Sequence, residues 1–239
     1  MENKDKIFTE SFKKVKAFAF DEQVVNVFPD MIKRSVPGYD TILRGIALYA
    51  MKYIQQPSQV FDLGCSLGAV AFTIDQALGA GRHKIHAIDS SEPMIQGLQQ
   101  LLSTAETYNE WIVSQRRIQD IGINDAGMVV SNFTLQFIPP DDRQNMLQAI
   151  YDGLNPGGVF VLSEKVKSSQ LLIDHYHGYK KVNGYSDQEI MRKRDALENI
   201  LIPDSKQHWE MALKQAGFSA VELWFQAFNF VSWLCIKDA

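Results

Sequence analysis

The stretch Val60-Phe61-Asp62-Leu63-Gly64-Cys65-Ser66-Leu67-Gly68 constrains the fold more than any other part of the chain. An apolar strand ends in a carboxylate, enters a glycine loop and opens a helix; Gly64 permits a turn and a close ligand approach that a side chain would block. Short apolar strands then alternate with helical segments: 59–62 with 69–78, and 84–88 with 91–102. Strands at 111–114 and 128–132, a helix at 140–154, the turn Asn155-Pro156-Gly157-Gly158 and a strand at 159–162 continue the series. Such alternation predicts βαβ units, a mostly parallel sheet and helices on both faces. The last two aromatic-rich strands, 220–225 and 229–236, have a link too short for a parallel crossover, so they pair antiparallel.

The flanking segments read differently. Val24, Val25, Phe28, Met31 and Ile32 share one helical face, but Pro29 sits among them and predicts two short helices or one broken at Phe28. Pro37-Gly38 leaves Tyr39 in a turn, and Asp40 is placed to cap a helix burying Leu43, Ile46, Ala47, Ala50 and Ile54. Residues 168–201 are polar and helical, an inserted subdomain, and Asp204-Ser205 caps a helix that ends at Gly217. The reading is one α/β domain over 1–239, with an N-terminal helical segment at about 20–38 and the insertion at about 168–201.

Charge and cysteine content narrow the partners. A formal charge of −4 with 46% hydrophobic residues excludes a disordered chain and offers no global basic field for nucleic acid. The cluster Lys13, Lys14 and Lys16 is balanced by Glu10, Asp21 and Glu22 and reads as a solvated helix face. Cys65 and Cys235 form no CxxC pair, the start has no apolar signal region, and no run has the length of a membrane span. These features predict a cytoplasmic protein with no membrane association. His175 and His177 lack a third ligand at metal spacing, so no metal is expected.

The loop chemistry selects the ligand. The spacing is G-x-x-x-G rather than the dinucleotide G-x-G-x-x-G, and no phosphate-binding lysine follows. Asp62 repels a phosphate and suits an amino group, while Asp89 ends the next strand where an acid accepts both ribose hydroxyls. An amino-acid moiety joined to a ribose without phosphates is S-adenosyl-L-methionine (SAM). The arrangement over about 40–237 resembles the class I SAM-dependent methyltransferase fold. That resemblance implies a Rossmann-like sheet of seven strands with the last one reversed, but not the reaction, since the fold hosts many chemistries.

A closer resemblance rests on segments spread along nearly the whole chain. They include FPDMI at 28–32, RSVPGY at 34–39, DLGCS at 62–66, NFTLQF at 132–137 and GLNPGG at 153–158. LSEK at 162–165, NGYS at 183–186, Lys193-Arg194, LEN at 197–199 and ELWFQ at 222–226 complete them. The chain is similar to the carboxy-S-adenosyl-L-methionine synthases of bacterial tRNA wobble-uridine modification. The resemblance implies that SAM and prephenate become carboxy-SAM and phenylpyruvate through a sulfonium ylide that captures carbon dioxide. It implies a homodimer, with Arg194 from the neighbouring subunit holding the new carboxylate, and a separate tRNA carboxymethyltransferase that takes the product, so no direct tRNA binding. Tyr39, Gly64, Cys65, Ser66, Asp89, Ser90, Arg117, Ile118 and Asn132 are the implied SAM contacts. Arg117 replaces an acid common in the family near adenine, with Asp120 a substitute only if the loop shifts, and Ser90 replaces the usual asparagine. Two other functions fit a SAM site: methylation of a small molecule, and SAM binding without catalysis.

Overall fold

The computed structural model describes residues 4–7 and 18–238, so the lysine cluster at 13–16 lies outside the described residues. Seven strands form one sheet: β1 (Gln59–Leu63), β2 (Lys84–Asp89), β3 (Glu110–Gln115), β4 (Ala126–Asn132), β5 (Leu154–Lys165), β6 (Ala220–Ala227) and β7 (Phe230–Ile236). Their order is β3-β2-β1-β4-β5-β7-β6, and only β7 runs against the others, as the sequence predicts. The strand order reverses at β1, which lies between β2 and β4; the crevice beyond the carboxyl ends of β1 and β4 is where such sheets bind ligands.

The sheet buries both faces by strict alternation. Phe61, Leu63, Val129, Phe160 and Leu162 face one core with Trp209, Leu213 and Trp233. Val60, Met128, Val130, Val159 and Val161 face the other with Ile42, Ile46 and Ile74. Neighbouring residues thus serve opposite cores, as the two-residue period of a strand requires.

Helices α1 (Glu22–Ser35) and α2 (Tyr39–Tyr53) correct two expectations. Pro29 lies inside α1 without breaking it, because tertiary contacts outweigh the missing hydrogen bond. Asp21 caps the helix, Val24 and Met31 pack on Met94, and Arg34 Nε donates to the Asn183 carbonyl at 2.7 Å. Helix α2 starts at Tyr39, not after Asp40; its N-cap is Gly38, at φ +73°, where a Cβ would meet the Phe225 ring at 2.4 Å. Its buried row is Ile42, Ile46 and Ala50, with Leu43 and Ala47 only half-buried.

Helices α3 (Ala69–Leu78), α4 (Glu92–Leu102), α5 (Pro140–Gly153) and α8 (Lys206–Ala216) flank the sheet. The segment after β5 forms α6 (Gln170–Val182) and α7 (Asp187–Leu197), and both are tied to the end of α1. Tyr176 Oη donates to the Ser35 carbonyl at 2.9 Å, and Lys193 Nζ to Ser35 Oγ at 3.0 Å. Asp5 is buried in the same junction, where its carboxylate accepts from Tyr185 Oη at 2.6 Å. These bonds hold α6 and α7 against the N-terminal helices beside the sheet crevice.

Candidate active site

A cavity of about 1110 Å³ opens at the crevice, and all ten residues nominated from the sequence line it. Its floor is the loop after β1. The Gly64 and Cys65 amides donate to the Ile88 carbonyl at 2.8 and 2.9 Å, and Gly68 N–H returns to the Cys65 carbonyl at 2.7 Å. Gly64, Ser66 and Gly68 all have positive φ, and a Cβ on Gly64 would come within 2.3 Å of Thr134 Oγ1. Asp89 holds this winding from β2: its carboxylate accepts Ser66 N–H and Ser91 N–H, each at 2.9 Å. Ser90, beside it, is exposed at the mouth.

The two acids of the floor differ in environment. Asp62 is fully enclosed and among the described residues accepts only the Ala71 amide, at 3.1 Å, so burial pushes its carboxyl up to about 7, with Asp89 adding to the rise. Burial also raises Asp89, but three backbone amides that favour its charged form oppose the shift. The Cys65 thiol is driven well up by burial and by both acids, which leaves it inert as a nucleophile and makes its backbone the useful part.

The far wall is Asn132, at the end of β4, and Tyr39, at the start of α2. The chain turns sharply after Asn132, with Phe133 at φ +64° and its N–H donated to the Ser163 carbonyl at 2.8 Å. Asn132 Oδ1 is buried and has no hydrogen-bond partner among the described residues. An orphaned acceptor on a residue that lines the cavity fits a ligand that brings donors, as the amino group of SAM does. Tyr39 stands next to this amide, its phenol pushed up by burial and by Asp62, so it stays protonated.

Arg117 and Ile118 form the lip after β3. Ile118 is buried, whereas Arg117 is exposed and leans toward Asp120, Nε to Oδ2 3.9 Å. Asp120 is not part of the cavity wall, so it does not take the place of the absent acid there. Arg194, on α7, is exposed at the rim of its own chain's cavity, close enough to Lys165 and His177 to repel their protons.

The structure adds lining residues to which the sequence reading gave no role. Lys165, Lys180 and Lys193 line the same end of the cavity as Arg194. Burial lowers Lys180 to about 7 and Lys193 to about 8, with the neighbouring cations contributing. Lys165 was open to discovery: it ends β5 as Asp62, Asp89 and Asn132 lie at the ends of their strands. Lys180 carries no such signal, being one of several lysines on a polar helix. The cavity is therefore acidic at the β1 and β2 end and cationic at the β5 and α6–α7 end. Among the described residues, no group of His, Cys, Asp and Glu is placed to hold a metal ion, and no helix is long and apolar enough to cross a membrane.

Sheet order, glycine loop and paired acids define the class I SAM-dependent methyltransferase fold, and a methyltransferase-domain family model matches residues 60–158. Among solved structures, magnesium protoporphyrin IX methyltransferase of Synechocystis with bound SAH superposes with a TM-score of 0.61 at 14% identity, over 86% of each chain. Human N-acetylserotonin methyltransferase in complex with SAM gives 0.61 at 15% identity, over 91% of this chain and 56% of that one. Sequence relatives are more specific. The carboxy-S-adenosyl-L-methionine synthase of Alteromonas mediterranea is 46% identical over 99% of this chain and 100% of its own. That of Trichlorobacter lovleyi is 48% identical over 92% and 93%. The chain belongs to the carboxy-S-adenosyl-L-methionine synthase family, and it is a transferase.

Proposed function

We propose that this enzyme converts SAM and prephenate into carboxy-SAM and phenylpyruvate in the cytoplasm, as a homodimer. The observation that carries the reading is the division of one cavity into an acidic end and a cationic end. Asp62, Asn132 and the backbone of Gly64, Cys65 and Ser66 hold the methionine part, and Asp89 with Ser90 holds the ribose. Ile118 and the backbone at 117–118 flank the adenine, while Tyr39 closes the pocket over the sulfonium. The cationic end receives an anion, which an ordinary methyl acceptor does not need to be.

The overall reaction balances without a further reagent. Prephenate loses a carboxyl group as carbon dioxide and its hydroxyl as hydroxide, driven by aromatisation, and phenylpyruvate remains. Hydroxide and one proton of the SAM methyl group together make water. The resulting ylide, stabilised by the adjacent positive sulfur, forms a carbon–carbon bond to carbon dioxide. Arg194 binds the new carboxylate, for which a planar guanidinium fork is suited. Aromatic and apolar walls such as Phe20, Phe133 and Phe137 exclude water that would reprotonate the ylide. The product is the donor for carboxymethylation of tRNA wobble uridine by a separate transferase, so this chain needs no surface for tRNA.

The test is mass spectrometry of small molecules after incubating the purified protein with SAM and prephenate. SAM gaining the mass of carbon dioxide, together with phenylpyruvate, is the expected result. Formation of S-adenosylhomocysteine with an acceptor identifies a methyltransferase instead, and unchanged SAM a binding protein without catalysis.

A further inference from the structure

Lys165 and Lys180 belong to different elements but converge on one ring. Their Nζ atoms lie 5.3 and 5.1 Å from the centroid of Tyr176, whose hydroxyl is fixed by its bond to the Ser35 carbonyl. Both line the cavity, and among the described residues no carboxylate is close enough to form an ion pair with either. The acid that acts on Lys180, Asp5, already accepts from Tyr185 and the Ile7 amide. Lys193 and Arg194 stand near and add repulsion. Largely buried ammonium groups without a counter-ion are costly, and a ring face offsets only part of that cost. The site is complete only when an anion lies between them.

The adjoining wall says what else that anion carries. Phe230 packs at 5.0 Å from Tyr176 and Phe133 at 5.6 Å from Phe230, and all three rings line the cavity. A cation pair beside tilted and edge-on aromatic rings fits a carboxylate attached to a flat six-membered ring.

We propose that Lys165 and Lys180 form a subsite for the 2-oxo carboxylate that the second substrate retains, with Tyr176 and Phe230 against its ring. This rests on the reading that prephenate is that substrate. The retained carboxylate is the better fit of the two that prephenate carries. Decarboxylation draws negative charge out of the departing carboxylate, so two ammonium groups on that one would stabilise it against leaving. On the other they anchor the molecule without opposing the reaction. Arg194 is then left for the carboxylate made on SAM.

The experiment uses the full chain with Lys165→Gln and Lys180→Gln, each checked by SAM affinity. Either variant should keep that affinity and raise the KM for prephenate by about tenfold or more, the loss of a charged hydrogen bond. The inhibition constant of phenylpyruvate, which carries only the retained carboxylate, should rise by the same factor, and Lys180→Arg should recover most of the loss. An unchanged KM in a variant that binds SAM normally overturns the subsite. A raised KM with an unchanged phenylpyruvate constant overturns its assignment to the retained carboxylate. A variant that loses SAM affinity is replaced by its arginine counterpart, read on the same constants: a KM and phenylpyruvate constant near wild type support the subsite, and values raised as far as by removal of the charge overturn it. If the unaltered protein makes no carboxy-SAM, the proposed function fails instead; phenylpyruvate binding, measured directly, still decides the subsite.

Discussion

The carboxylate of Asp89 accepts the backbone N–H of Ser66 at 2.9 Å, so the acid that ends β2 also shapes the loop that follows β1. One side chain thus couples loop conformation to ligand chemistry. Asp89 also lines the cavity, where the ribose hydroxyls of the proposed ligand would donate to it.

Asp89→Ala should therefore fail in two separable ways. SAM affinity should fall by about a hundredfold, the loss of two hydrogen bonds to a charged group. Stability to urea should fall by about 1–3 kcal/mol, because the Ser66 and Ser91 amides lose their acceptor. Calorimetric titration and denaturant melts check the two effects. A variant that is destabilised yet binds SAM normally would remove Asp89 from the ribose site.

Asn132 should behave in the opposite way. Its Oδ1 has no partner among the described residues, while its amide bonds the Tyr39 hydroxyl, so truncation removes an unsatisfied acceptor together with one hydrogen bond and the two effects offset. Asn132→Ala should leave the denaturation midpoint nearly unchanged while weakening SAM about tenfold. Equal affinity in the variant would show that the orphaned oxygen does not meet the ligand.

Asp62 gives a pH signature. Its carboxyl is raised to about 7, so the folded protein holds a proton that the unfolded chain releases at lower pH. The ligand-free protein should thus lose stability from this group as pH rises from about 4 to about 7, and Asp62→Asn should remove that part of the slope. Binding has the reverse sign, because the ionised form is the partner for an ammonium group. SAM affinity should grow about tenfold between pH 6 and 8 in the wild type and stay flat in Asp62→Asn. A flat wild-type profile would separate Asp62 from the amino group.

The fold was legible because its signals are local: Asp62, Asp89 and Asn132 each lie at or next to the end of an apolar strand, and the short link between β6 and β7 allows one pairing only. Local propensity misled at Pro29 and Asp40, where contacts from remote residues decide. Arg34 reaches Asn183, and Phe225 packs over Gly38, neither of which a window around the helix contains. The cationic end was legible only in part for the same reason. Lys165, Lys180 and Lys193 come from β5, α6 and α7, and only the docking of the insertion on Ser35 brings them to one wall.

Arg117 is a place to gain affinity. It is exposed, its contact with Asp120 is long, and its replacement should change stability by less than about 0.5 kcal/mol. Arg117→Asp returns a carboxylate to the adenine lip and should tighten SAM binding by about threefold to tenfold, as one added hydrogen bond allows. Affinity that does not improve would place the adenine amino group elsewhere.

Arg194 would decide how the subunits of the proposed dimer share the work. It is exposed at the rim of its own cavity, where an arginine can turn inward or reach across a two-fold interface. The proposed dimer uses the second geometry, and mixing two variants, assayed at SAM too dilute to occupy the Asp89→Ala site, tests it. In a mixed dimer of Arg194→Ala and Asp89→Ala subunits, crossing arginines leave one site with both defects and one site intact. Random reassembly should then restore about a quarter of wild-type activity, since half the dimers are mixed and each has one good site of two. If Arg194 serves its own chain, every site keeps one defect and the mixture stays inactive. Carboxy-SAM formation after unfolding and refolding the mixed chains together reads the difference directly, with each variant refolded alone as the baseline.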